Sequence, residues 1–305
     1  MTKRADTNNG TVSELQARVA TAEREQRLTS TRRDLLRAII DNSEETYFLS
    51  SRELAKRYAM DTATVVRTIQ ALGYKRFADF AADLRKHFIT RITPYQVTKS
   101  ATEKRRTPAD HVLHSLDKDV QNIMQLRNRL DIERVLAAAR QIRDARKVLI
   151  VGIDFAASLA WSLDYGLSVV GVHCEAPIGT AGNLRNKVRS LTRKDLLIGI
   201  SFGRCLRETV NTVLEAHKRQ VPTLGITDSE LSPIARYSDT SLLVSVAGPS
   251  LATSYAAATA LVNCILIACA HISPNESLRV LRERESERES ERWYDEDPRR
   301  NGKTS

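Results

Sequence analysis

Between Asp61 and Lys75 the chain reads DTATVVRTIQALGYK. Thr62 and Thr64 are short and hydroxylated, and Arg67 and Gln70 follow Thr64 at three-residue steps. Short polar side chains at the start of a helix let its backbone come close to a nucleic-acid groove. An arginine one turn later can then reach a guanine edge or a phosphate. Val65, Ile69 and Leu72 recur at i, i+4 and i+7, so the same helix has an apolar side to pack. Upstream, Ser50 and Glu53 have the spacing of a capping box, with Leu54, Ala55 and Tyr58 as the apolar face that follows. Asp61 is an N-cap for the next helix, and Gly73 is a C′ residue free to take positive φ. Two short helices broken by a tight turn form a helix-turn-helix reader of DNA. Arg52, Lys56 and Lys75 flank that unit as phosphate contacts, which position without specifying sequence. The bland alternative is an αα-hairpin on the rim of a larger domain.

Charge favours the first reading. The chain carries +10 at pH 7. Residues 1–147 hold 29 Lys and Arg against 19 Asp and Glu, whereas residues 148–305 hold 18 of each. The excess lies in the half with the helix pair, where it would neutralise phosphates. The basic residues form no dense run beside an amphipathic helix, so a membrane-surface role is not expected.

A second set of polar residues stands after apolar runs. KVLIVGI at 147–153 leads into Gly152, Asp154 and Ser158, DLLIGIS at 195–201 leads into Ser201, Gly203, Arg204 and Glu208, and PTLGIT at 222–227 leads into Thr227–Ser232. With SVVGVHC at 168–174 and TSLLVSV at 240–246 there are five such runs, separated by helix-like stretches. They are nearly continuous in apolar residues, so both faces are buried, as in a parallel sheet flanked by helices. Ligands in such sheets sit beyond the strand C-termini, where loops meet helix N-termini.

The elements that position these residues follow in order. Residues 1–28 are a polar extension with a charged helical stretch at 13–28. Residues 29–90 form an all-α unit, which begins with a helix over 31–40 (Leu35, Leu36, Ile39 and Ile40 inward) and ends with one over 76–88 (Phe77, Phe80, Ala81, Leu84 and Phe88). Residues 91–108, polar and basic with Pro94 and Pro108, are a linker. Residues 109–275 form an α/β unit opening with helices over 109–130, apolar at Leu113, Leu116, Val120, Ile123 and Leu130, and from Asp131 to Asp144. Residues 276–305 are a charged tail whose alternating Arg and Glu support an exposed helix. The fold class is therefore a two-domain α+β chain, a helix-turn-helix domain followed by an α/β domain with a five-stranded parallel sheet.

With these pieces in place the chain resembles the RpiR (MurR) transcriptional regulators, which join an N-terminal helix-turn-helix to a C-terminal sugar isomerase (SIS) domain. SSRELAKRYAMDTATVVRTIQALGYKRFADFAADL is similar to the family pattern over some thirty-five residues. KVLIVGI, DLLIGIS and LSPIARYSD at 231–239 resemble pieces of the second domain. The resemblance implies a DNA operator as partner, a homodimer or homotetramer, and a small anionic carbohydrate ligand held near Gly152, Asp154, Ser201, Gly203, Arg204 and Glu208. The departures matter. The family's Gly-x-Gly-x-Ser is Gly152-Ile153-Asp154-Phe155-Ala156 here, and of its Ser-x-Ser-Gly-x-Thr-x-Glu only Ser201 and Glu208 remain. Lost hydroxyls and the Asp154 charge weaken a phosphate cradle. Arg204 and Arg207 either restore its charge, or Arg204 pairs with Asp154 and fills the site. A sugar-phosphate isomerase or lyase, or a regulator whose SIS domain only oligomerises, are the competing readings.

Other chemistry is thin. Cys174, Cys205, Cys264 and Cys269 form no C-x-x-C pair and have no His at metal spacing, so reduced thiols in a cytoplasmic protein are expected. His173 and Cys174 read as buried strand residues and His217 as exposed. No G-x-G-x-x-G, P-loop or H-E-x-x-H occurs, so no cofactor, metal or catalytic residue is expected. Leu251–Ala270 reads as a buried helix, since Thr253, Ser254, Tyr255, Thr259 and Asn263 interrupt its apolar run.

Overall fold

The computed structural model describes residues 14–42, 46–91, 107–177, 181–248 and 253–286. Most of the expected linker, the first residues and the far tail lie outside them. Among the described residues, the N-terminal unit contains the helices α1 (Glu14–Arg24), α2 (Ser30–Asp41), α3 (Ser51–Arg57), α4 (Thr62–Ala71) and α5 (Phe77–Arg91). Leu35, Leu36, Ile39, Leu54, Val65, Ile69, Leu72, Phe80 and Leu84 meet in one buried cluster. The 3.6-residue spacing of these apolar residues is what makes each helix one-sided, and their shared core fixes how α3 and α4 cross. Helix α1 belongs to the same core. Its Leu15 and Ala22 are 1 % exposed, and the Arg18 guanidinium lies 4.6 Å from the centre of the Tyr74 ring. The extension is thus a structural part of the helical unit.

The second unit begins with α6 (Pro108–Arg129) and α7 (Ile132–Asp144) and continues β1 (Val148–Gly152), α8 (Ala156–Val169), β2 (Cys174–Glu175), α9 (Ala181–Arg189), β3 (Leu196–Ile200), α10 (Arg207–Lys218), β4 (Thr223–Thr227), α11 (Pro233–Tyr237), β5 (Thr240–Leu243), α12 (Ala256–Ile272) and α13 (Pro274–Ser286). The strands form one parallel sheet in the order β2-β1-β3-β4-β5. Alternate residues of each strand face opposite layers. Val148, Ile150, Ile198, Leu224 and Leu242 pack against α6, α7, α8 and α12, and Leu149, Val151 and Leu197 pack against α9, α10 and α11.

Three sequence expectations shift. The run 168–174 was expected as a strand, but its first residues finish α8. Leu163, Leu167 and Val170 continue a buried helical stripe, Gly171 takes φ +86°, and strand geometry begins only at Cys174. His173, expected buried, is exposed, and Cys174 is half-buried, its thiol donating to the Asp164 carbonyl at 3.2 Å. The apolar stripe of α6 points outward: Leu113, Leu116 and Val120 are all more than half exposed. That helix packs instead through Leu126 and Asn122, whose Nδ2 donates to the Ala247 carbonyl at 2.8 Å. Helix α13 starts at Pro274 and is tied down, with Ser277 buried and the Arg143 guanidinium 3.0 Å from the Glu276 carboxylate. Helix α12 is core, as Ala257, Leu261, Val262 and Ile265 are fully buried. Among the described residues no single helix is long and apolar enough to cross a membrane.

Leu15→Ala tests whether α1 is part of the core. It is expected to lower the stability of the helical unit by about 2–4 kcal/mol, the cost of emptying a leucine site, read by urea unfolding followed by circular dichroism.

Candidate functional site

Two places on the molecule carry polar residues that packing does not use up. The first is the start of α4. Ser50 and Glu53 form the capping box of α3, with the Ser50 N–H donating to Glu53 Oε2 at 2.7 Å. Asp61 caps α4: its carboxylate accepts from the Thr64 N–H at 2.7 Å and from the Thr64 hydroxyl at 2.5 Å. Those two bonds hold the Asp61 carboxyl below its usual range. Thr64 is therefore committed to the cap as well as facing outward, and Thr62 beside it is half-buried. Arg67 and Gln70 are exposed, and Arg67 Nε donates to the Ala63 carbonyl of its own helix at 3.3 Å, while the Arg67 charge helps lower the Asp61 carboxyl. Arg52, Lys56 and Lys75 are exposed around them. Gly73 takes φ +85° and ends the helix, as its place after Leu72 implies.

The second place is the loop cluster beyond the C-terminal ends of β1, β3 and β4. Gly152 closes β1 where α8 turns back. A Cβ there would lie 2.4 Å from the Ala156 carbonyl oxygen, so only glycine lets helix and strand approach this closely. Asp154 stands at φ +60° and Gly203 at φ +54°. Asp154 occupies a left-handed position that glycine adopts freely and that Asp tolerates better than most residues. Ser201 is buried, and its hydroxyl bonds the Cys205 side chain. The Gly203 N–H donates to both carboxylate oxygens of Asp228, at 3.0 Å each. Thr227 and Ser232 hydroxyls are 3.0 Å apart, and Ser232 caps α11 by accepting from the Ala235 N–H at 3.1 Å.

Tyr255, just before α12, joins these loops. Its ring lies 5.6 Å from Phe202 edge-on and 6.3 Å from Phe155 in a stacked pose. Burial raises the Tyr255 phenol above its ordinary range, and the Asp154 and Asp228 carboxylates push the same way. Burial also raises the Asp228 carboxyl, against the hydrogen bond from Gly203. The Cys205 thiol is pushed up to about 11, mainly by burial. Raised this far, the Cys205 thiol stays protonated at neutral pH.

Of the six ligand residues expected from sequence, Gly152, Asp154, Ser201 and Gly203 gather here, while Arg204 and Glu208 lie exposed at the loop and the first turn of α10. Phe202, Cys205 and Asp228, within the loop stretches 201–208 and 227–232 that the sequence pointed to, complete the cluster together with Tyr255, which lies outside them. Asp228 had one signal, as the first residue beyond a buried strand. Tyr255 had none, since its ring partners Phe202 and Phe155 are 53 and 100 residues away in the chain.

The doubly covered five-stranded sheet with ligand loops at one edge defines a sugar-isomerase-type domain, and the SIS domain signature matches residues 141–268. The sugar isomerase domain of an RpiR transcription factor from Sphaerobacter thermophilus is 33% identical over 57% of this chain and 97% of that one, with a TM-score of 0.55. An uncharacterized HTH-type transcriptional regulator of Haemophilus influenzae is 25% identical over 218 residues, 70% of this chain and 74% of that protein. The chain belongs to the RpiR family of transcriptional regulators. The Vibrio vulnificus NanR protein, solved in complex with ManNAc-6P, is alike in fold (TM-score 0.60, 88% of this chain and 97% of that one) at 17% identity.

Gly152→Ala is expected to lower the midpoint of thermal unfolding by roughly 4 °C or more, because the new Cβ meets a backbone oxygen that cannot turn aside. Differential scanning calorimetry reads this directly, and an unchanged midpoint would show that the first loop is looser than described.

Proposed function

We propose that this regulator reads its operator with α4, as a symmetric oligomer, and that its loop cluster holds a small anionic carbohydrate derivative. The observation that carries the DNA assignment is the split of α4 into two faces. Val65 and Ile69 are buried, while Arg67 and Gln70 project from the opposite side into solvent, with the Arg67 charge felt by the Asp61 carboxylate at the start of the helix. On this reading Arg67 contacts a base or phosphate, Thr62, Thr64 and Gln70 line the groove, and Arg52, Lys56 and Lys75 contact phosphates. Arg67→Ala is expected to weaken operator binding by roughly 1–3 kcal/mol, measured by gel-shift titration at fixed salt. Unchanged affinity would remove Arg67 from the interface.

One helix reads only a few base pairs, so a pair of recognition helices about 34 Å apart is the economical arrangement. The outer face of the α6–α7–α8–α12 layer supports such pairing. Val112, Leu116, Met124, Trp161, Tyr165 and Ile267 are each more than half exposed there. A helix layer this apolar is expected to be covered, and a second copy of the same face gives a closed two-fold interface. Leu116→Asp is expected to lower the oligomer's sedimentation coefficient toward that of the monomer at micromolar concentration. A coefficient identical to the wild type would place the interface elsewhere.

For the ligand, the support is the loop geometry: the first turn of α10, the Arg204 and Arg207 side chains beside it, and Ser201 at the base. Helix N-termini and cations favour an anion. Asp154 and Asp228 oppose one, so the ligand's charge has to take the place of the Asp228 carboxylate at the Gly203 N–H.

A further inference from the structure

The loop after β4 touches two things at once. Asp228, at its start, holds the Gly203 N–H of the ligand site. Leu231, three residues on, packs against the core of the N-terminal helical unit. Ser232 then caps α11, which is anchored to the sheet by the fully buried Ile234. From α11 the Arg236 guanidinium reaches Glu53 Oε1 at 2.8 Å and stands 5.6 Å from the centre of the Phe48 ring. Glu53 is the residue that closes the capping box of α3. Burial raises the Glu53 carboxyl, but the bonds from Ser50 and the Arg236 charge outweigh it and leave the carboxyl lowered, so it stays ionised at neutral pH. On the other side Tyr47, 7 % exposed, lies within the electrostatic reach of both Cys205 and Asp228. The segment from Tyr47 to Glu53 therefore sits on the sensor loops, with Phe48 and Glu53 tied to a fixed strut and Tyr47 facing a carboxylate that a ligand would have to displace.

We propose that residues 228–236 couple the ligand site to the DNA-binding unit: α11 is the anchor, and the Asp228–Leu231 loop is the part that moves when the Gly203 N–H exchanges Asp228 for a ligand's anion. The inference builds on the ligand-site reading above. Asp228 acts as an internal stand-in for the ligand. While it occupies the Gly203 N–H, Leu231 is held in the helical core and α3 in one seat. Once it is displaced, the carboxylate and Leu231 move together, because only three residues separate them, and the helix pair reseats. A change of this kind needs no contact between ligand and DNA.

The test uses the full chain with neither ligand nor DNA. Hydrogen exchange is followed by mass spectrometry in Asp228→Asn, which weakens the carboxylate's hold on Gly203, and in Arg236→Ala, which removes the anchor. Each is expected to speed exchange across residues 46–57 by roughly two- to fivefold, the scale that a surface contact's worth allows, with β1 and β3 as slow as in the wild type. If Asp228→Asn leaves residues 46–57 unchanged, the coupling is overturned, whatever Arg236→Ala does. Should Asp228→Asn also loosen β1 and β3, Leu231→Ala is read in its place by the same criterion. A failed titration with sugar phosphates would sink the ligand reading alone, since no ligand enters this measurement.

Discussion

A parallel sheet buried on both faces leaves its loops little choice. Every strand runs the same way, so every loop leading out of β1, β3 and β4 emerges at one edge. The β1, β3 and β4 runs, VLIVG, LLIGI and TLGIT, are almost entirely buried. Their apolar side chains fix the sheet, and the sheet in turn brings Asp154, Ser201, Gly203 and Asp228 together from positions spread over 75 residues of chain. The chemistry of the site follows from a packing requirement that none of those four polar residues supplies. The N-terminal unit obeys the helical form of the same rule. Its buried cluster sets the crossing of α3 and α4, and the charged outer face of α4 is what remains.

The two helix layers over the sheet differ in what they leave to solvent. The α9–α10–α11 layer has a largely polar exterior, with His217, Arg219 and Lys218 exposed near the end of α10. The opposite layer exposes aromatic and aliphatic side chains, including a stacked Trp161–Tyr165 pair with rings 5.8 Å apart. This asymmetry between the two layers is what the proposed pairing of copies rests on.

Much of this was legible in the sequence because it is local. Capping boxes, the i, i+4, i+7 spacing of Val65, Ile69 and Leu72, and the uninterrupted apolar runs of the inner strands are written within a few residues of one another. The misread pieces are those where local pattern and tertiary context disagree. Val169 and Val170 favour a strand by type, yet they extend a helical stripe that Leu163 and Leu167 had already begun. The stripe on α6 has the spacing of a core face, and spacing alone cannot say whether the core it meets is its own or a partner's. Tyr255 escaped notice because a site residue placed by topology carries no motif of its own.

Position 154 shows how a family site can change its chemistry without changing its shape. The backbone there keeps the left-handed conformation that a glycine would adopt, at φ +60°. Asp accepts that conformation at modest cost, so the backbone shape is kept while a negative charge is added. Asp228 does the same on the other side, using a carboxylate to satisfy an N–H that would otherwise face a ligand anion. The Gly203 N–H thus has a partner within the protein itself. On the ligand reading proposed above, such a site would discriminate by competition: a weak anion would not displace the Asp228 carboxylate from the Gly203 N–H, whereas one bringing further bonds to Ser201, Arg204 or Arg207 would.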